Sequence, residues 1–581
     1  MILRLSLVAV MVLANLCQLA WAAEPAPIIR YNSIHHPIVG EQGMVATQHR
    51  LASEVGADIL AAGGNAVDAA VAVGFSLAVV LPRAGNLGGG GFMMIHLADK
   101  KDTVALDYRE MAPAAAHRDL FLDSEGNVDK NKARFSHAAA GVPGTVAGLL
   151  EAHKKYGKLA LKQVLTPAIE QAENGFVVTQ DLSNKLANYK HLKKNPETLK
   201  AYYKKGGEAY RAGERLRLND LAWSLKQILK HGEDGFYKGA IADKIVAEME
   251  RHGGLITHQD LANYRVVTRA AVTGQYRGYE VASMPPPSSG GIHIIQMLNM
   301  LETFPLGDYG AGSAQSVHLL VEAMKRAYAD RSKYLGDPDY VDVPVKQLID
   351  KSYAKRLAAD FNLESTTAST AILAGEKLID ESRDTTHYSI VDADGNVVSN
   401  TYTLNFSFGS GITVAGTGIL LNNEMDDFSA KPGVPNAYGL IGAEANKIEA
   451  QKRPLSSMTP TILFKEGKPV LVTGSPGGSR IITTVLQVLV NVVDHGMNVA
   501  DAISAPRFHH QWQPDMLFVE PGFSPDTIKL LQQKQHKVKA VSTMGSAQSI
   551  AIHEGVSYGA ADPRKPDAAA VGVAHRDKNE R

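Results

Sequence analysis

Cysteine is almost missing. The 581-residue chain contains one, Cys17, and it falls in a leader-like segment, so the mature protein is expected to have none. That excludes disulfides, thiol nucleophiles and cysteine-ligated zinc, and leaves stability to the hydrophobic core. Net charge is missing too, because Lys plus Arg and Asp plus Glu each total 60. No overall positive field draws in nucleic acid, and no acidity signals a disordered or halophilic chain. The apolar run from Ala69 to Leu81 is bounded by Asp68 and Pro82. It falls short of the roughly 20 residues that span a bilayer, and a buried helix is expected.

Several standard motifs are also lacking. There is no H-E-x-x-H, and the histidine pairs His35-His36 and His509-His510 are adjacent instead of one helical turn apart. The glycine loop Gly85 to Gly91 runs into Phe92 and Met93, without the Lys-Ser/Thr of a phosphate-binding loop, so close backbone packing is the better reading. In "TGSPGGSR" Gly474 directly precedes Ser475, so the serine-nucleophile elbow G-x-S-x-G is absent. Gly477-Gly478 in the same stretch could present two unhindered N–H groups beside a helix start, the equipment of an oxyanion hole. A tight strand-to-helix turn is the alternative.

What is present begins with "MILRLSLVAVMVLANLCQLAWAAEPAP". A single Arg4, an apolar run from Leu5 to Leu16 and small residues at Ala20 and Ala22 match a secretory signal peptide over residues 1–22. An uncleaved anchor is the alternative, against which the short run and the A-x-A ending argue. The expected address is a bacterial periplasm, or the medium.

With 45% hydrophobic residues the chain can bury a large core. Two Ala-rich helical stretches flank Gly63-Gly64-Asn65, and strand patterns follow at Phe92 to Leu97 and Thr103 to Asp107. Amphipathic helices fill about 140 to 265, a strand is expected at Tyr279 to Ser283, and a helix from about Ile481 to His495. Strands and helices alternate on both sides of residue 385, which favours one large layered α/β domain over two independent ones. The polar stretch from Asn362 to Asp384 is the most linker-like segment.

Overlapping its last two residues is "RDTTHYSIVDADGNVVSNTYTLN". Alternation from His387 to Val391, a turn at Asp392 to Asn396 and a β-rich run from Val397 to Leu404 predict a hairpin. Thr385-Thr386 opens it. A threonine hydroxyl needs an adjacent base, and the base a threonine can itself carry is a free α-amino group. Scission between Asp384 and Thr385 would supply one, with an ordinary pKa of about 8. β-Propensity alone also explains two threonines there.

The stretches "GNAVDAAVA", "GNLGGGGFM", "LDYREMAP", "MPPPSSGG", "DTTHYSIVDADGNVVSNTYTLN", "GILLNNEMDDFS", "RPLSSMTPT", "TGSPGGSR" and "APRFHHQW" together resemble the γ-glutamyltransferases, specifically the periplasmic bacterial type, over nearly the whole mature chain. The resemblance implies an N-terminal-nucleophile hydrolase with a four-layer αββα sandwich. It implies a precursor that cuts itself at Asp384-Thr385 into a large subunit (23–384) and a small one (385–581), both within one domain. By position, Thr385 is then the nucleophile, Thr403 orients it, and Gly477 and Gly478 are the oxyanion pair. Arg109, Ser456 and Ser457 would bind the donor's α-carboxylate, Asn405, Glu424 and Asp427 its α-ammonium, and Tyr438 would stand at the tip of a lid. Singly, Arg109 could be a surface ion pair with Glu110 or Asp107, the serines turn caps, and Asp426-Asp427 a solvated face.

The implied partners are glutathione and other γ-glutamyl compounds as donors, and water, amino acids or dipeptides as acceptors. No metal or organic cofactor is implied, nor a nucleic acid or, once the leader is removed, a membrane. A glutaryl-type (cephalosporin) acylase of the same fold is the alternative. It is disfavoured by the full-length lid "EMDDFSAKPGVPNAYGL" and by carboxylates that suit an ammonium.

Overall fold

The computed structural model describes residues 33–372, 385–431, 433–437 and 439–574. The leader, Asp384 and Tyr438 lie outside the described residues.

The expected hairpin is present at the centre of a sheet. Thr385–Asp392 and Val397–Thr403 pair antiparallel, from Thr385 opposite Thr403 to Val391 opposite Val397. Asp392 shapes the turn, its Oδ1 accepting from the N–H groups of Asp394 at 3.0 Å and Asn396 at 2.9 Å. Gly90–Leu97 lies beside the second strand over its whole length, ending with Gly90 opposite Thr403. Gly43–Thr47 lies beside the first, but pairs only from Ser389 onward. Thr385 to Tyr388 therefore run past that neighbour, and the strand's start has a ladder partner on one side.

Ala569–Gly572 flanks Gly43–Thr47 at one edge, and Asp102–Tyr108 and Val267–Ala270 complete this seven-stranded sheet at the other. A second seven-stranded sheet runs in the order Ile38–Gly40, Val556–Ala561, Gln548–His553, Lys468–Thr473, Thr461–Lys465, Tyr279–Ser283, Val272–Tyr276. Both sheets mix strands from before and after residue 385.

Three apolar layers separate the elements. Met44, Phe92, Met94, Met284, Ile462 and Ile550 fill the space between the sheets. Helices Ala66–Val80, Thr145–Tyr156 and Leu161–Asn174 pack a second core against the first sheet. Helices Gly290–Leu301, Ala314–Tyr334 and Arg480–Val493 form a third beyond the other sheet. Two sheets between two helical layers make the expected four-layer αββα sandwich.

The helix Ala66–Val80 is buried at every residue, which is why its sequence is apolar all round. Asn65 and Asp68 cap it reciprocally. The hairpin docks on it through Tyr388 and Tyr402, whose hydroxyls donate to the carbonyls of Ala70 and Gly74, each at 2.9 Å. Among the described residues no helix is long and apolar enough to cross a membrane.

The glycine loop packs backbone on backbone, as its sequence predicts. A Cβ on Gly89 would lie 1.9 Å from the Thr403 carbonyl oxygen, and one on Gly88 2.1 Å from that of Leu420. Asn86 fixes the approach by donating from Nδ2 to the Thr403 carbonyl at 2.9 Å and accepting from the Gly89 N–H at 2.9 Å. The linker-like stretch is partly anchored: Lys325 Nζ donates to Thr366 Oγ1 and the Thr367 carbonyl, each at 2.7 Å, and Trp512 Nε1 to the Ser369 carbonyl at 3.0 Å.

Because the obstacle at Gly89 is main chain and cannot rotate away, Gly89→Ala should cost about 1–3 kcal/mol of stability and displace Thr403. Urea denaturation would register the first effect and the rate of p-nitroanilide turnover the second.

Candidate active site

Thr385 is 4% exposed, and its Oγ1 lies 3.3 Å from Thr403 Oγ1 across the strand pair. Thr403 Oγ1 also accepts from the Asn405 N–H at 2.8 Å. That bond requires the chain to turn sharply after the strand, and Asn405 does so at φ +73°, a left-handed conformation costing about 1 kcal/mol or more for a non-glycine residue. Asn405 Nδ2 holds the turn by donating to the Asn423 carbonyl at 2.8 Å.

One cleft brings Thr385 and Thr403 together with Arg109, Asn405, Glu424, Asp427, Ser456, Ser457 and Gly478. These come from the end of one sheet strand, the turn after the hairpin, a 3-10 turn at Glu424–Asp427, and the loop ahead of Thr461–Lys465. Gly477 belongs to the same turn as Gly478 but not to the cleft wall. Both have positive φ, +136° and +56°, which favours glycine at each. The turn runs into helix Arg480–Val493, with the Arg480 N–H on the Gly477 carbonyl at 3.0 Å. This is the tight strand-to-helix turn that the sequence offered as the alternative, and it brings Gly478 into one cleft with Thr385.

Arg109 is fully buried, so the surface-pair reading does not hold, although Glu110 is one of its partners at 3.4 Å. Its guanidinium bonds Glu424 through Nη1 and Asp427 through Nη2, and its Nε donates to the Pro454 carbonyl at 3.2 Å. Burial works against its charge, but Glu424, Asp427 and Glu110 outweigh burial and hold its pKa above the ordinary value. Burial pushes the Glu110 carboxyl up to about 7 against the pull of Arg109. Glu424 is likewise raised, by burial first and then by Glu110 and Asp427, with Arg109 opposing. Thus the groups expected to take a carboxylate and an ammonium neutralise one another across the cleft. A zwitterion can replace that pair with two of its own.

Ser456 Oγ accepts from the Met458 N–H at 3.0 Å, and Ser457 Oγ accepts from Arg331 Nη2 at 3.1 Å. Arg331, Leu440, Met458 and Ile481 also line the cleft and went unrecognised in the sequence. A single arginine inside an amphipathic helical pattern carries no signal of burial. His387, next to the threonine pair, is no base for Thr385: burial lowers its pKa to about 3, and its ring bonds Thr401 at 2.8 Å and Ser389 at 3.1 Å.

The segment that carries the expected lid is tied to the 3-10 turn. Ala437 N–H donates to Asp426 Oδ2 at 3.1 Å and Asn446 Nδ2 to the Asp427 carbonyl at 2.8 Å. Asp426 is buried at 8% exposure, not part of a solvated face.

Among the described residues one cluster outside the cleft has metal-ligand composition, His137, Glu248 and His252. The two imidazoles are stacked, with centroids 4.7 Å apart and planes only 17° from parallel. Their in-plane lone pairs cannot meet at a zinc–nitrogen distance of about 2.1 Å. Both instead address one oxygen, Glu248 Oε1, at 3.1 and 3.6 Å.

Burial raises the Asp426 pKa from 3.8 to about 6, with Arg134 pulling the other way. Between those values the unfolded chain releases the proton first, so this group's contribution to stability falls as pH rises. Asp426→Asn should therefore gain on the parent by about 1–3 kcal/mol from pH 4 to pH 7, read from urea unfolding at the two ends.

Comparison with known proteins agrees with this geometry. The family model described as Gamma-glutamyltranspeptidase matches residues 52–572. The chain is 55% identical over 560 residues to the glutathione hydrolase proenzyme of Escherichia coli strain K12, covering 96% of each. It is 40% identical to the acylase ACY 1 proenzyme of Pseudomonas sp. strain SE83, covering 92% of this chain and 95% of that one. Among solved structures, a cephalosporin acylase from Bacillus halodurans superposes with a TM-score of 0.82 at 30% identity, over 94% of this chain and 98% of that one. A Helicobacter pylori gamma-glutamyltranspeptidase chain does so with a TM-score of 0.56 at 45% identity, over 60% and 97%. With the family model spanning residues 52–572 and a relative 55% identical over 96% of both chains, the chain belongs to the γ-glutamyltranspeptidase family.

Proposed function

We propose that the protein is an exported, self-processing γ-glutamyltransferase and glutathione hydrolase whose nucleophile is Thr385. The observation that carries this reading is the placement of Thr385 at the first position of a central strand. Its hydroxyl is 3.3 Å from Thr403, on the wall of a cleft whose opposite charges match a zwitterionic donor.

In maturation the Thr385 hydroxyl attacks the Asp384 carbonyl carbon and the peptide C–N bond breaks. Water then hydrolyses the resulting ester, leaving the Asp384 carboxylate and a free Thr385 amine. In turnover that amine takes the hydroxyl proton as Thr385 attacks the γ-amide carbon of the donor. Gly478, with Gly477 behind it, supplies N–H groups to the oxyanion, and the following helix adds its positive end. Collapse expels the amine, Cys-Gly when the donor is glutathione, and leaves a γ-glutamyl ester. Water or an amino acid or peptide amine then attacks that ester.

Arg109, Ser456 and Ser457 take the donor α-carboxylate, an arrangement suited to guanidinium and hydroxyl donors. Glu424, Asp427 and Asn405 take the α-ammonium. A glutaryl acylase would have no use for two carboxylates in the cleft, because a glutaryl group carries no ammonium. The leader over residues 1–22 directs export to the periplasm and is removed there.

Denaturing mass spectrometry of the exported protein tests the reading. It should yield two chains, the smaller beginning at Thr385, and Thr385→Ala should remain one chain without turnover. A parent that stays intact on incubation would overturn the mechanism. The purified enzyme should release nitroaniline from γ-glutamyl-p-nitroanilide at least tenfold faster than from its glutaryl counterpart, as expected when two cleft carboxylates lose their cationic partner. The reverse preference would identify an acylase.

A further inference from the structure

Arg331 is the cleft's second guanidinium, and its surroundings differ from those of Arg109. It sits in the last turn of helix Ala314–Tyr334, 5% exposed. Among the described residues no carboxylate lies within ion-pairing distance of it. Its hydrogen-bond partners are two hydroxyls, Ser289 Oγ at 3.0 Å from Nε and Ser457 Oγ at 3.1 Å from Nη2. A buried cation with only neutral partners is costly, and such an arrangement persists where an anion completes it. Burial pulls its pKa down to about 10, which leaves it charged at neutral pH. The helix C-terminus adds a favourable dipole.

The two serines show how that charge is delivered. Ser289 accepts from Arg331 and donates its own hydrogen to the Ser456 carbonyl at 2.8 Å, while its N–H donates to the same carbonyl at 2.9 Å. The main chain at Ser456 is thereby fixed. Ser457 Oγ receives the Arg331 N–H, and Ser456 Oγ receives that of Met458. Each hydroxyl accepts from a protein donor and finds no protein acceptor for its own hydrogen among the described residues, so that hydrogen is left for a ligand in the cleft. Both side chains line the cleft.

We propose that Arg331 is a positioning residue of the donor subsite: through Ser457 and Ser289 it holds two hydroxyl donors at the cleft and supplies a positive charge, engaged by no ion pair, that makes the site prefer acyl donors bearing an α-carboxylate. Arg109, which already shares its charge with three carboxylates, fixes where that group lies. Arg331 sets how strongly the site demands it. This inference rests on the γ-glutamyl reading above.

The test compares kcat/KM for L-γ-glutamyl-p-nitroanilide with that for 4-aminobutanoyl-p-nitroanilide, which keeps the ammonium and lacks the carboxylate. The parent should favour the former. Arg331→Met should reduce that preference roughly 10- to 100-fold, the loss expected for a hydrogen bond to a charged group, mainly through a higher KM. Arg331→Lys should restore part of it, and Arg331→Met with Ser457→Ala should lose little more than the worse single variant. A general packing defect would slow both substrates alike and leave the ratio unchanged, and an unchanged ratio overturns the inference. If Arg331→Met does not mature, Arg331→Lys and Ser457→Ala decide by the same ratio. A parent without γ-glutamyl turnover would overturn both readings together, whereas an active parent with unaltered ratios in the variants overturns only this one.

Discussion

The pairing of Thr385 with Thr403 is the constraint on which the rest depends. A reactive group built on a loop would have to be held by its neighbours, whereas a strand position is fixed by a ladder of main-chain bonds. The same ladder would normally bury the group. Here the neighbouring strand Gly43–Thr47 stops short of Thr385, and the glycine loop behind Thr403 allows main chain to approach where any side chain would collide. Position comes from one side of the strand and access from the other.

Around that point the cleft gathers charges that would be expensive to bury singly. Arg109 is tolerated because Glu424, Asp427 and Glu110 surround it, and burial, with the neighbouring carboxylates adding to it, raises the pKa values of Glu110 and Glu424. Arg331, elsewhere in the lining of the same cleft, has only hydroxyls as hydrogen-bond partners. The cleft is thus polarised from one wall to another, and its discrimination comes from an uneven division of charge, since the net charge nearly cancels.

Much of this was legible in the sequence for physical reasons. Hairpin, capped apolar helix and glycine loop each follow from local periodicity or from φ demands, and local rules are what a sequence displays. The site residues Arg109, Glu424, Asp427, Ser456 and Ser457 were legible only through the family resemblance, because a lone arginine or a pair of serines has ordinary structural explanations. Arg331 shows the limit. It occupies a regular position in a helix, and only the packing of that helix against the Ser456 loop from the other half of the chain gives it a role. Asp426 was ambiguous for the same reason, as nothing local distinguishes a buried acid from a solvated one.

The interleaving of strands has a consequence for the two pieces that a break at Thr385 would create. Each seven-stranded sheet takes strands from both pieces, so neither piece owns a closed sheet or any of the three cores. Severing one bond releases a chain end without releasing a body, and parting the pieces would expose apolar surface on the scale of unfolding. A molecule cut there would keep its own halves for life, and its two pieces would share a single stability and a single history.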